Sequence, residues 1–146
     1  LWACENVRRY LQMGPSARFG DPIVADAKSL LRNIVETARE VVEGRSDLAA
    51  SLRFGHDVFV IPLVALLGVE GASARVESLD DVASAWSVEK VSPMAANVQF
   101  VFFRNAKTGD VRVRVLLNER DARLPVAGGP YYPWKELEQY CESLYE

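Results

Sequence analysis

The segment Phe54-Gly55-His56-Asp57-Val58-Phe59-Val60-Ile61-Pro62-Leu63-Val64-Ala65-Leu66-Leu67-Gly68 changes character twice within fifteen positions. It follows Leu48 to Phe54, which reads as a short strand. From about Phe59 to Leu67 the residues are apolar on every side, as in a buried helix, and Gly68 stops it. Pro62 fits a helix only in its first turn, which sets the helix start near Ile61. A strand, then Gly55-His56-Asp57, then a helix puts side chains at the C-terminal edge of a sheet, where ligands bind in open α/β folds. Backbone N–H groups opening the helix add partial positive charge suited to an anion. A lone His is more often structural than catalytic, and its Asp neighbour at the same corner is what raises chemistry as the competing reading.

On the N-terminal side, Glu5 to Met13 reads as the end of a helix stopped by Gly14-Pro15. A polar turn, Ser16 to Gly20, leads to the clearest helix of the chain. Asp21 is suited to its N-cap and Pro22 to its first position. Apolar residues recur from Ile23 and Val24 through Ala27, Leu30, Leu31, Ile34 and Val35 to Val42, the stripe of an amphipathic helix, and Gly44 closes it.

On the C-terminal side, Ser78 caps a short helix to Ala85. Val98 to Phe103 is apolar on both faces, as in a central strand. Val111, Val113, Val115 and Leu117 alternate with Arg112, Arg114 and Leu116, the period of a half-exposed strand. Lys107-Thr108-Gly109-Asp110 makes the hairpin turn between them. Asp121 to Val126 adds a third short strand, Gly128-Gly129-Pro130 breaks the chain, and Trp134 to Tyr145 closes it as a helix.

Bulk properties narrow the function classes. With 146 residues, 49% apolar, the chain supports one compact core over residues 1–146. A net charge of −3, with the 17 basic residues scattered, argues against a nucleic-acid surface. Val58 to Val69 is too short and too interrupted to span a bilayer, so no membrane partner is expected. Cys4 and Cys141 lie near opposite ends beside a single His, which argues against a zinc site. They read as two thiols, with a disulfide as the alternative. No metal or cofactor is called for.

The corner and its helix, Phe54-Gly55-His56-Asp57 with Ile61 to Gly68, resemble the second signature of the histidine acid phosphatases. These form branch 2 of the histidine phosphatase superfamily, with phytases, glucose phosphatases and multiple inositol polyphosphate phosphatases among them. Asn6-Val7-Arg8-Arg9-Tyr10-Leu11 with Gly14-Pro15 is similar to the segment before the family's long helix. Phe100 to Arg104 and Val115 to Glu119 sit where the family places its last strands. The resemblance implies an α/β fold: the C-terminal part of a phosphoglycerate-mutase-like three-layer sandwich, with a mixed sheet flanked by helices.

It also implies roles. In this family a first His, within Arg-His-Gly, attacks phosphorus and becomes a phosphohistidine. His56 matches the second His, a ligand of the phosphoryl oxygens. Asp57 matches the acid that protonates the departing alcohol. Arg53 is the nearest of several arginines that could bind phosphate, although strand arginines such as Arg53, Arg104, Arg112 and Arg114 more often face solvent. Tyr131, Tyr132 and Trp134 read as packing of the last helix rather than a stacking site, and Asp80-Asp81 and Glu36, Glu40 and Glu43 as solvated faces.

The departures are specific. Arg-His-Gly is absent and His56 is the sole His, so the nucleophile is expected from a missing N-terminal part of the same protein, and the chain alone is expected to be inactive. Val58 and Phe59 stand where polar residues often follow the family's Asp. His-Asp, rather than His-Ala-Glu, leans toward the phytase-like and bacterial branch. The expected partner is a phosphate monoester, with phytate or another inositol phosphate as the leading substrate and a periplasmic or secreted location. The competing reading is a non-catalytic α/β module that uses the corner to bind an anion or only to fold.

Overall fold

A computed structural model describes residues 2–15 and 21–146. The polar turn at 16–20 and the capping side chain of Asp21 lie outside the described residues. Helix α1 spans Trp2–Met13 and the long helix α2 spans Asp21–Val42. The apolar stripe of α2 buries Val24, Ala27, Leu31 and Val35, one per turn, as the periodicity requires. Gly44 ends it with φ of 75°, a left-handed conformation that glycine takes without a Cβ penalty.

Helix α3 covers Asp57–Leu66. It therefore begins a turn earlier than the start near Ile61 inferred from Pro62. The proline sits inside the helix, and the carbonyl its missing N–H leaves unbonded belongs to Val58, at the exposed end where water can serve it. Ile61, Leu63, Val64 and Leu67 fill the core, whereas Val58 and Phe59 at the helix start are exposed. After α3 comes a single 3-10 turn, Leu79–Asp81, which Ser78 caps by accepting from the Asp80 N–H at 3.3 Å. Two one-turn helices follow, α4 (Val82–Ala85) and α5 (Val88–Val91).

The sheet contains β1 (Val98–Arg104), β2 (Val111–Leu117), β3 (Arg120–Asp121) and β4 (Tyr131–Pro133), and α6 (Trp134–Tyr145) closes the chain. β2 is the central strand: it pairs antiparallel with β1, β3 and β4. The α/β layering expected for the family is present, with a sheet flanked by helices, but every pairing among the described residues is antiparallel rather than mixed.

Three further expectations are corrected. Leu48 to Phe54 forms no strand; it runs over the surface as exposed irregular chain. β1 is an edge strand, not a central one, with Phe102 and Phe103 partly exposed. The third strand is only Arg120–Asp121: after a turn at Asn118 and Glu119, at φ of 50° and 65°, it pairs with Leu116 and Leu117, and β4 takes the rest of that edge of β2. Asn118 secures that turn by donating to the carbonyls of Lys90 and Val91 at 3.1 and 3.2 Å.

The core joins the inner faces of α2, α3 and α6 to β2. Trp86 is fully buried, donates to the Ala72 carbonyl at 3.1 Å and meets the Tyr10 ring edge-on. Tyr132 is buried beneath the sheet, and its hydroxyl donates to the Ala122 carbonyl while accepting from the Leu124 N–H. Trp134 packs against Phe102. Tyr132 and Trp134 thus pack into the core as their sequence context indicated, whereas Tyr131 stays half-exposed against Phe103. Cys4 and Cys141 are free thiols, the first exposed and the second buried.

Candidate functional site

His56 is the N-cap residue of α3, with extended backbone at φ −121° and ψ 174°. Its carbonyl accepts from the Phe59 and Val60 N–H groups at 2.9 and 3.3 Å, which starts the helix, and its imidazole is exposed to solvent. Asp57 is the first helical residue and half-buried. Its Oδ1 accepts from the Val58 N–H at 2.9 Å. Its Oδ2 is engaged by the guanidinium of Arg9, reaching across from α1. Each oxygen of the carboxylate thus already holds a donor.

Arg9 was not among the arginines singled out in the sequence. It lies on the face of α1 shared by Glu5 and Met13, one helical turn to either side. Its Nε donates to Glu5 Oε1 at 2.7 Å while Nη1 serves Asp57. Arg8 grips the same Glu5 through two contacts at 2.6 and 2.9 Å. Hydrogen bonds from Arg8 and then Arg9 hold the Glu5 carboxyl down to about 2. Only an Arg-Arg pair one turn after a Glu hints at this in the sequence, and nothing in that pattern points to Asp57.

The other arginines are placed elsewhere. Arg53 lies along α2, donating to Asn33 Oδ1 at 2.7 Å and Thr37 Oγ1 at 3.0 Å. It tethers the irregular segment to the long helix and is not brought onto Asp57. Arg104 donates to the Val42 carbonyl at the end of α2 at 2.6 Å, and Arg114 forms a two-pronged pair with Asp121. Glu40 and Glu43 pair with Arg45.

The predicted setting of the corner is also corrected. With no strand before it, Gly55-His56-Asp57 is a loop-to-helix junction and not the edge of a sheet. The ring of Phe59 folds back over Gly55, where a Cβ would stand 3.3 Å from its Cδ2 and the ring would have to give by a few tenths of an ångström. Phe54, the residue before, is almost fully exposed at 94%. At this helix start an exposed histidine adjoins a half-buried carboxylate that a guanidinium engages, groups able to bind an anion and exchange a proton with it.

Comparison with known proteins agrees with the sequence resemblance. A family model described as the histidine phosphatase superfamily (branch 2) matches residues 11–118. That span contains the corner, α3 and the β1–β2 hairpin. A search of curated proteins found no match.

Proposed function

Because the chain belongs to the histidine phosphatase superfamily, branch 2, we propose that it serves a phosphomonoester hydrolase in which His56 holds the transferring phosphoryl group and Asp57 protonates the departing alcohol. The observation that carries this reading is the placement of His56 and Asp57 side by side at the start of α3, with the Arg9 guanidinium on the Asp57 carboxylate. An alkoxide is a poor leaving group, so a carboxylic acid beside the ester oxygen lowers the barrier by delivering its proton as the P–O bond breaks. Cationic and neutral donors around the phosphoryl oxygens offset the charge there. Arg9, now on Asp57, is a cation that a phosphate dianion could draw away. Arg53 serves as a phosphate ligand in this proposal only if it leaves Asn33 and Thr37.

The phosphohistidine-forming residue is proposed to come from a part of the protein outside these 146 residues. The exposed side chains of Leu52 and Phe54, beside the corner, offer that part a place to pack. An inositol phosphate substrate and a periplasmic or secreted location are proposals carried by the resemblance alone; cell fractionation tests the second.

The deciding experiment compares full-length wild type with Asp57→Asn on an alkyl phosphate and on an aryl phosphate with a good leaving group. Loss of the acid is expected to slow the alkyl ester by about 10²–10⁴-fold and the aryl ester far less. Equal turnover of the alkyl ester by the variant removes Asp57 from the acid role. The non-catalytic reading draws on one observation, the full engagement of Asp57 by Val58 and Arg9. Absence of Arg-His-Gly from the full coding sequence would favour it.

A further inference from the structure

An unbroken line of polar contacts runs along α1 to the corner. Gln12 accepts from Arg8, Arg8 donates to both oxygens of Glu5, and Glu5 Oε1 also accepts from Arg9 Nε at 2.7 Å. These partners stand three or four positions apart, the spacing at which side chains meet on one helix face. The last contact leaves the helix, where Arg9 Nη1 engages Asp57 Oδ2 on α3. One guanidinium is thus held at Nε from behind while Nη1 points forward, a planar fork that a lysine does not reproduce. Without Arg9, the contact left to the Asp57 carboxyl among the described residues is the N–H of Val58, its own neighbour in the chain.

We infer that Arg9 is a positioning residue for the acid, and that Glu5 in turn positions Arg9. The inference rests on the phosphoester reading of the corner and deepens it. In the chemical step the P–O bond to the alcohol breaks as phosphorus bonds to a nucleophile supplied from outside these 146 residues. The ester oxygen keeps the bonding electron pair and takes the Asp57 proton. A carboxyl group offers about four lone-pair sites. Arg9 takes one on Oδ2 and the Val58 N–H one on Oδ1, which leaves a site on each oxygen for that proton. Its delivery leaves negative charge on the carboxyl, and Arg9 stands where that charge develops. A carboxyl held in one orientation also keeps its proton within hydrogen-bond reach of the ester oxygen, whereas a freely turning one does so only part of the time.

The test is a leaving-group comparison in the full-length protein, with Arg9→Met, Arg9→Lys, Glu5→Ala, Asp57→Asn and the double variant Arg9→Met/Asp57→Asn. An aryl phosphate with a good leaving group departs with little help from an acid, so it reports on every step except proton delivery. Arg9→Met is expected to lower kcat for an alkyl phosphate by about ten-fold while KM and aryl turnover stay near wild type. Arg9→Lys and Glu5→Ala should fall between wild type and Arg9→Met. Beside Asp57→Asn, Arg9→Met should cost the alkyl ester nothing further, because the group it positions is gone. An unchanged alkyl kcat in Arg9→Met, equal slowing of both esters, or a full Arg9→Met effect beside Asp57→Asn each overturns the inference. A raised KM for both esters with kcat unchanged overturns it too, since Arg9 would then bind the phosphate directly. Wild-type behaviour of Glu5→Ala overturns the part assigned to Glu5. All of these outcomes leave Asp57 as the acid. Wild-type alkyl turnover by Asp57→Asn instead removes the acid reading of the corner, and the positioning role falls with it.

Discussion

Arg9 and Asp57, 48 positions apart, form an ion pair that joins α1 to the first residue of α3. The guanidinium is anchored from behind by Glu5, so it reaches Asp57 as a braced arm rather than a loose side chain. About a quarter of the Arg9 side chain and a third of the Asp57 side chain stay exposed, and water screens the pair. Replacing Arg9 with Met should therefore cost only about 0.5–1 kcal/mol of stability. Urea unfolding of Arg9→Met and Arg9→Lys checks this, with the lysine variant recovering part of the loss. A cost of several kcal/mol would mean that the carboxylate is far less solvated than its exposure indicates.

Glu5 gives a pH signature. Its carboxyl is held at about 2 in the fold, below the ordinary 4.5, mainly by its hydrogen bonds to Arg8 and Arg9. A depressed carboxyl contributes stability that is complete above the unfolded value and disappears as pH falls through the folded one. The clasp on α1 should thus persist at pH 4 and loosen between about 4.5 and 2. Carbon-detected titration of the Glu5 side chain should show its midpoint near the lower limit, and a midpoint at 4.5 would show the clasp is not formed in solution.

The two thiols should separate in reactivity. Burial, followed by the nearby Glu138 and Glu142 carboxylates, pushes the Cys141 thiol up to about 12. Cys4 is exposed on α1. A maleimide at pH 7.5 is expected to label Cys4 in the native protein and Cys141 only after unfolding, as read by peptide mass. Because the folded value for Cys141 lies above the unfolded one, its contribution to stability is complete below pH 9 and declines above it.

Gly68 stands where α3 ends, at φ of 65°, and a Cβ there would lie 3.0 Å from the Tyr140 hydroxyl. That hydroxyl donates to the Leu67 carbonyl at 3.0 Å and ties α6 to the end of α3. Gly68→Ala combines left-handed strain with displacement of this bond and should destabilise the fold by about 1–3 kcal/mol. Tyr140→Phe isolates the second contribution, expected at about 1 kcal/mol. If Gly68→Ala unfolds like wild type, the left-handed turn is not needed.

Local rules made the helices legible. The stripe of α2 and the boundaries of α6 depend on period and breakers that neighbouring residues settle among themselves. The β1–β2 hairpin was equally plain, since Asn105, Gly109 and Asp110 close it locally. What local rules could not decide was pairing. Leu48 to Phe54 has strand composition but finds no partner among the described residues, and a strand exists only through its neighbour. β1 looks central because its apolar residues face both ways, yet one edge is open. At the candidate site, His56 and Asp57 were readable because they adjoin in sequence. Arg9 was not, because only the packing of α1 against α3 brings it there.

The unpaired segment has a dynamic consequence. Among the described residues no backbone–backbone hydrogen bond involves positions 47–55, although the helices α2 and α3 stand on either side. Its amide hydrogens should exchange with deuterated solvent nearly as fast as those of an unfolded peptide, while amides a few positions away on either side are retained far longer. Isotope uptake there therefore starts from a clean baseline. Anything that seats on the segment, whether another part of the protein or a separate chain, would register as slowed uptake at Leu52 and Phe54 before any activity is measured.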